Sequence, residues 1–105
     1  VDILTIREKI LDRRYAISFS HTEKMRLRKI ALDEIEDAIL NGEIIEPYPE
    51  DPRGPSCLIF GYSHQNRPLH VLCGNLSGKE LLIITAYEPD RKEWEIDLKT
   101  RKKGG

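Results

Sequence analysis

At 105 residues the chain holds about one domain with one modest core, and its 39% hydrophobic and 33% charged residues are those of a globular protein with a heavily charged surface. No apolar run approaches the roughly 20 residues that cross a bilayer, and the first ten residues lack a signal-peptide pattern, so a single cytoplasmic domain is expected. A net charge of −1 excludes a bulk pull toward nucleic acid.

The distribution of charge is uneven. Residues 1–30 carry eight Lys/Arg against four Asp/Glu, residues 31–51 carry eight acids and no base, and residues 52–105 carry nine bases against six acids. Such asymmetry suits a basic face for a phosphate backbone, and solvated helix faces produce it equally well.

Residues 2–14 predict a first helix, with Ile3, Ile6 and Ile10 at helical spacing, Leu4 and Leu11 widening the stripe, and Asp2 as N-cap. Tyr15 to Phe19 alternates as a short strand or an extended linker does. Ser20 followed by Glu23 has capping-box spacing and predicts a second helix, which places His21, Lys24 or Met25, and Arg28 along one face. Leu32 to Leu40 predicts a third, capped by Asp33 and ended by Asn41-Gly42.

Glu43 to Tyr48 is short and β-prone, and Pro47 restricts it to an edge. After a turn-rich loop with three prolines come three apolar runs: Ser56 to Ser63, Arg67 to Asn75 and Lys79 to Tyr87. His64-Gln65-Asn66 and Ser77-Gly78 read as hairpin turns. Trp94 and Ile96 suit a last short strand, which puts the core at about residues 3–97 and leaves 98–105 as a solvated tail. Helices followed by an antiparallel meander of about four strands is an α+β order. Cys57 and Cys73 fall on neighbouring predicted strands and match no ligand spacing, so buried reduced thiols are expected, and no metal or other cofactor.

A two-residue Ser77-Gly78 loop would set His70 opposite Thr85, with Tyr87 on the same face. The other face would carry Leu69, Val71, Cys73, Leu82, Ile84 and Ala86, all apolar, and is the better core candidate. His70 is then either a core histidine satisfied by a hydrogen bond or the centre of a site. Imidazole and phenol transfer protons near neutral pH when tuned by their surroundings, and arginines stabilise developing phosphoryl charge. A ribonuclease working without a metal needs a base, an acid and a cation. His21, His70 and Tyr87 supply the first two roles. Arg53, Arg28 and Lys24, with Thr85, supply the phosphate contacts. His64 reads as a turn residue, and the run of bases around Arg28 equally reads as a solvated helix face.

His21 with Lys24, Met25, Arg28 and Ile30, then residues 41–46, 51–58 and 67–71, then Ile84 to Tyr87 with Pro89, Asp90 and Trp94 form a succession that resembles the domain-of-unknown-function family 4258 over about residues 15–94. That family in turn resembles the RelE-like ribonuclease toxins of the barnase, EndoU and colicin group. The resemblance implies a RelE/barnase-like fold and a metal-independent RNA-cleaving toxin of a bacterial toxin–antitoxin pair. RNA and a small antitoxin with paired CxxC motifs would be its partners. A module of the same fold that binds RNA or protein without cleaving is the alternative.

Overall fold

The structure, a computed structural model, describes residues 2–103, and of residues 19–21 the backbone alone. Helix α1 (Ile3–Leu11) is capped as expected, the Asp2 carboxylate accepting from the Thr5 amide at 2.9 Å. Helix α2 (Phe19–Leu27) starts at Ser18, two residues before the predicted cap. Helix α3 (Leu32–Asn41) is preceded by Ala31, not capped by Asp33. Its first turn is closed by the Glu34 carboxylate, which reaches back to the Ala31 amide at 3.2 Å. Glu34 does this because it stands three residues inside the helix, where a long acid meets the orphan amides.

The strands are β1 (Tyr15–Ile17), β2 (Glu43–Tyr48), β3 (Ser56–Tyr62), β4 (Pro68–Gly74) and β5 (Leu81–Tyr87), in the sheet order β1-β5-β4-β3-β2. The class is α+β. The sheet differs from the expected four-stranded antiparallel meander in being five-stranded and mixed, because Tyr15–Ile17 pairs in parallel with Leu81–Ile83. Alternation assigned Tyr15 to Ile17 an extended shape, but the partner lies some 66 residues on and no local signal names it.

The helices cover one face of the sheet. Their core joins Ile6, Ile10, Met25, Ile30, Ile35, Ala38 and Ile39 to the inward residues of β3, β4 and β5. Cys57 and Cys73 stand directly opposite one another in this core as free, buried thiols. Burial pushes the Cys57 thiol up to about 11 and Cys73 well above its ordinary value, so neither is a nucleophile near neutral pH. Lys9 is buried as well: its ammonium donates to the Leu76 and Gly78 carbonyls at 2.9 and 2.6 Å and so ties α1 to the β4–β5 turn. Among the described residues no helix is long and apolar enough to cross a membrane.

The register of β4 on β5 departs from expectation. His70 faces Tyr87 and Leu72 faces Thr85, and the pairing then shifts before Cys73 meets Ile83. The connection runs from Asn75 to Glu80, longer than a two-residue loop, with Asn75 at φ 53° and its side-chain amide donating to the Glu80 carbonyl at 2.6 Å. The shift is a β-bulge. It inserts one residue in β5 and exchanges the faces of its first half. Leu81 and Ile83 therefore fill the core, where Leu82 and Ile84 were expected.

His64 sits in the β3–β4 turn as anticipated, but it is anchored. Its backbone amide donates to the Asp37 carboxylate of α3 at 3.2 Å and its Nδ1 bonds the same group, with Asp33 at 4.0 Å. The bond to Asp37 raises the imidazole above its ordinary 6.5. A raised histidine contributes stability that is complete below the unfolded value and is lost as pH rises through the folded one. An NMR titration is expected to place His64 above 6.5, and D37N to bring it back.

Candidate functional site

The face of the sheet opposite the helices is where the sequence placed a site, and around His70 it is covered. Residues 90–103 fold back over it as a compact loop. The loop is closed internally by the Trp94 amide on the Asp90 carbonyl, the Glu95 amide on the Thr100 carbonyl and the Lys102 amide on the Glu93 carbonyl. Its Trp94 and Leu98 join Leu58 and Phe60 in a second hydrophobic cluster, with Ile45, Tyr48 and Leu72 at its margin. The expected solvated tail therefore begins too early: Leu98 is buried, whereas Ile96, expected in a strand, is exposed. An isolated apolar residue among charges carries no periodicity, so its docking was not visible in the sequence.

His70 lies beneath this loop with no exposed surface. Its ring is boxed by Phe60, Tyr87 and Trp94, at centroid distances of 5.6, 5.4 and 4.4 Å, all edge-to-face. Its Nε2 is 2.7 Å from the Leu98 carbonyl. A carbonyl only accepts, so Nε2 carries the hydrogen and Nδ1 is the bare nitrogen. That nitrogen is buried without a hydrogen-bond partner. Burial lowers the imidazole below its ordinary value, outweighing the upward pull of the Leu98 carbonyl and Glu46, and Arg101 adds to the lowering. His70 thus holds the loop through the Leu98 carbonyl from a position closed to solvent.

Around the rim of this box stands a polar group that sequence reasoning missed. Glu46 projects from β2 on the same face as Leu58, its partner in β3. The Arg101 guanidinium binds it through Nε at 3.0 and 3.1 Å and lies 4.7 Å over the Trp94 ring. The Tyr48 hydroxyl donates to the same carboxylate. Burial, with Glu46 beside it, raises the Tyr48 phenol. Tyr87 is raised by burial too, against the opposing charge of Arg101, and it feels Tyr48, Glu46 and Glu93. Both phenols stay protonated at neutral pH. Glu46 and Tyr48, two apart on one strand, were legible as sharing a face. Arg101 was not, for it reaches Glu46 across 55 residues of chain.

The remaining expected residues are distributed elsewhere. Arg28 follows α2 and donates to the Ala86 carbonyl at 2.9 Å and to Thr85 Oγ1 at 3.3 Å, past the end of β1, so these two meet each other but not His70. Arg67 supports that corner by donating to the Arg28 and Lys29 carbonyls at 2.8 and 2.7 Å, with Glu34 at 3.4 Å and Glu88 at 3.2 Å. Lys24 is exposed on α2. The backbone of His21 lies in α2 and its side chain falls outside the described residues. Arg53 is 73% exposed and loosely paired with Asp51 at 3.4 Å. It borders a cleft of about 410 Å³ lined also by Asp51, Ser56, Asn75, Glu80, Leu82 and Ile84. Gly74, in that lining, is four residues along β4 from His70, about 13 Å away.

Of the seven expected residues, His70 and Tyr87 come together in one place and Arg28 and Thr85 in another. Among the described residues no three His, Cys, Asp or Glu side chains gather as a metal ion would require. No curated protein and no solved structure matches the chain. A family model described as a domain of unknown function, DUF4258, matches residues 21–88, a span holding most of α2, all of α3 and β2 to β5, with Glu46, Tyr48, His70 and Tyr87, but ending before the loop that carries Trp94 and Arg101. The chain belongs to that family.

Proposed function

We propose that this protein is a metal-independent, RelE-like endoribonuclease toxin of a bacterial toxin–antitoxin pair, acting in the cytoplasm, with its chemistry on the Glu46, Tyr48, Tyr87 and Arg101 rim rather than on His70. The observation that carries the reading is the Glu46 carboxylate held at 3.0 Å by Arg101 beside two protonated phenols. The order of helices before a β2–β5 meander supports it, as does membership of the DUF4258 family, which resembles the RelE-like group.

In the reaction Glu46 takes the proton of a ribose 2′-OH. The 2′-oxygen bonds to phosphorus while the bond to the 5′-oxygen breaks. Arg101 balances the added charge on the phosphoryl oxygens, and Tyr87 gives its proton to the departing 5′-oxygen. The product is a 2′,3′-cyclic phosphate. Bases at Arg28, Lys24 and Arg53 supply separate phosphate contacts along the RNA strand in place of net charge. A small antitoxin with paired CxxC motifs is the proposed protein partner.

The test is cleavage of single-stranded RNA by the purified chain in the presence of a chelator, together with growth arrest on expression. E46Q is expected to lower the cleavage rate by about 10²–10⁴-fold, the usual worth of a positioned acid or base, with its circular dichroism unchanged. Cleavage by E46Q at the wild-type rate sinks the mechanism. The enclosure of His70 and the engagement of Arg28 with backbone favour a second reading, a non-catalytic module that binds RNA or protein on the same surface. RNA retained by the wild-type chain and recovered uncut would select it.

A further inference from the structure

We propose that residues 90–103 form a hinged cover latched by His70, which swings off the sheet as a unit on acidification and bares Leu58, Phe60, His70 and Tyr87. The inference touches the ribonuclease reading at one point, since opening the cover takes Arg101 away from Glu46, and it is tested by a readout that does not depend on cleavage.

Three features of the structure carry it. The cover is self-contained, because its backbone hydrogen bonds close within it: Trp94 to Asp90, Glu95 to Thr100, Leu98 to Glu95 and Lys102 to Glu93. The Asp97 carboxylate adds bonds to the Lys99 and Thr100 amides at 2.9 and 3.1 Å. Among the described residues its attachments to the sheet use sheet side chains: the Leu98 carbonyl on His70, Arg101 on Glu46 and Tyr48, Lys99 on Glu43 at 3.3 Å, and the apolar seating of Trp94 and Leu98. The cluster under the cover is also separate from the helix-side core, so the cover can leave while the main core persists, as sub-global opening units do.

The latch responds to protons through its second nitrogen. His70 Nδ1 is buried without a partner, so adding a proton there leaves a charged N–H facing aromatic rings. The ionisable groups acting on it are Glu46 on β2 and Arg101 on the cover, with the Tyr87 ring of β5 against it; Tyr48 on β2 and Glu93 on the cover act on Tyr87, and Tyr62 on β3 lies beyond Phe60. The Glu46 carboxylate is the one acid acting on the ring, and Arg101 opposes it. With the cover off, the imidazole returns toward 6.5. Each pH unit below that value shifts the balance toward the open form by about tenfold, until the closed form also protonates.

Trp94 is the single tryptophan of the chain and reports directly on the cover. Titration from about pH 8 to about pH 5, the range over which an ordinary histidine charges, is expected to shift its emission to the red and increase its quenching by iodide. The far-UV circular dichroism should stay unchanged. H70Q keeps an amide donor for the Leu98 carbonyl but does not titrate, and H70F keeps a ring; in either variant the transition should vanish. Trp94 that stays shielded until the far-UV signal is lost overturns the proposal, as does an unchanged transition in whichever variant folds. Cleavage or binding of RNA does not enter the readout, so failure of this proposal and failure of the proposed function are told apart.

Discussion

Gly61→Ala is expected to be among the most destabilising single changes in the chain, costing about 3 kcal/mol or more. Gly61 lies in β3 opposite Leu69, at the point where α3 crosses closest to the sheet. A Cβ there would come within 1.9 Å of the Ala38 carbonyl oxygen and 2.9 Å of its Cα. Those are backbone atoms of a helix, so no rotamer change relieves the clash, and α3 must lift. Lifting it would loosen Ile35 and Ile39, which are fully buried in the same helix. Urea unfolding followed by circular dichroism checks the prediction through the midpoint. Gly54→Ala is the control. Nothing lies within 4 Å of a Cβ there, and only the left-handed backbone at φ +105° opposes it, so a loss of about 1 kcal/mol is expected.

Trp94→Ala comes next, with an expected loss of about 3–5 kcal/mol, the range for truncating a buried aromatic. Trp94 is 2% exposed and closes the box around His70. Its removal takes the ring out from under Arg101 and uncovers Leu58 and Phe60. In a domain stable by about 5–15 kcal/mol that is a large fraction. The helix-side core does not include Trp94, so the variant is expected to keep its helical circular dichroism at low temperature while binding a hydrophobic dye, and to unfold at a lower urea concentration. A variant with wild-type urea midpoint and no dye binding would show that the second cluster contributes little. Tyr87→Phe provides the contrast: its hydroxyl has no buried orphan to satisfy, so stability should hold within about 0.5 kcal/mol.

The two histidines with described side chains pull stability in opposite directions. His64 is raised by Asp37 and favours the fold on the acid side; His70 is lowered by burial and favours it on the alkaline side. Histidine spacing alone carried no such distinction, since charge state follows from neighbours that the fold supplies. For the same reason His70 attracted a catalytic role in the sequence: an ionisable ring in an apolar strand looks the same whether its other side meets solvent or Trp94.

The elements themselves were local information. Ile3, Ile6 and Ile10 announce α1, Asp2 caps it, Pro47 marks β2 as an edge, and the apolar runs Ser56 to Ser63 and Arg67 to Asn75, bounded by turns, announce β3 and β4. Each depends on residues a few positions apart, where backbone preference and side-chain period act directly. The α+β class followed from that order, and the family from the succession of residues along it, its model covering residues 21–88 where about 15–94 were expected.

What the tertiary structure decided is every relation across distance. The β4–β5 bulge moved Leu81 and Ile83 into the core, because a single inserted residue reverses the faces of a strand with period two. The parallel pairing of β1, the engagement of Arg28 with Ala86, and the return of the C-terminal residues over the sheet were decided the same way. A tail of alternating charges around Trp94 and Leu98 has no period to read. Its docking is set by the apolar surface that Leu58, Phe60 and Leu72 leave on the outer face, and by the Glu46 carboxylate that Arg101 meets there. That surface exists only once the strands are paired, so the cover over His70 belongs to the fold and not to the local sequence.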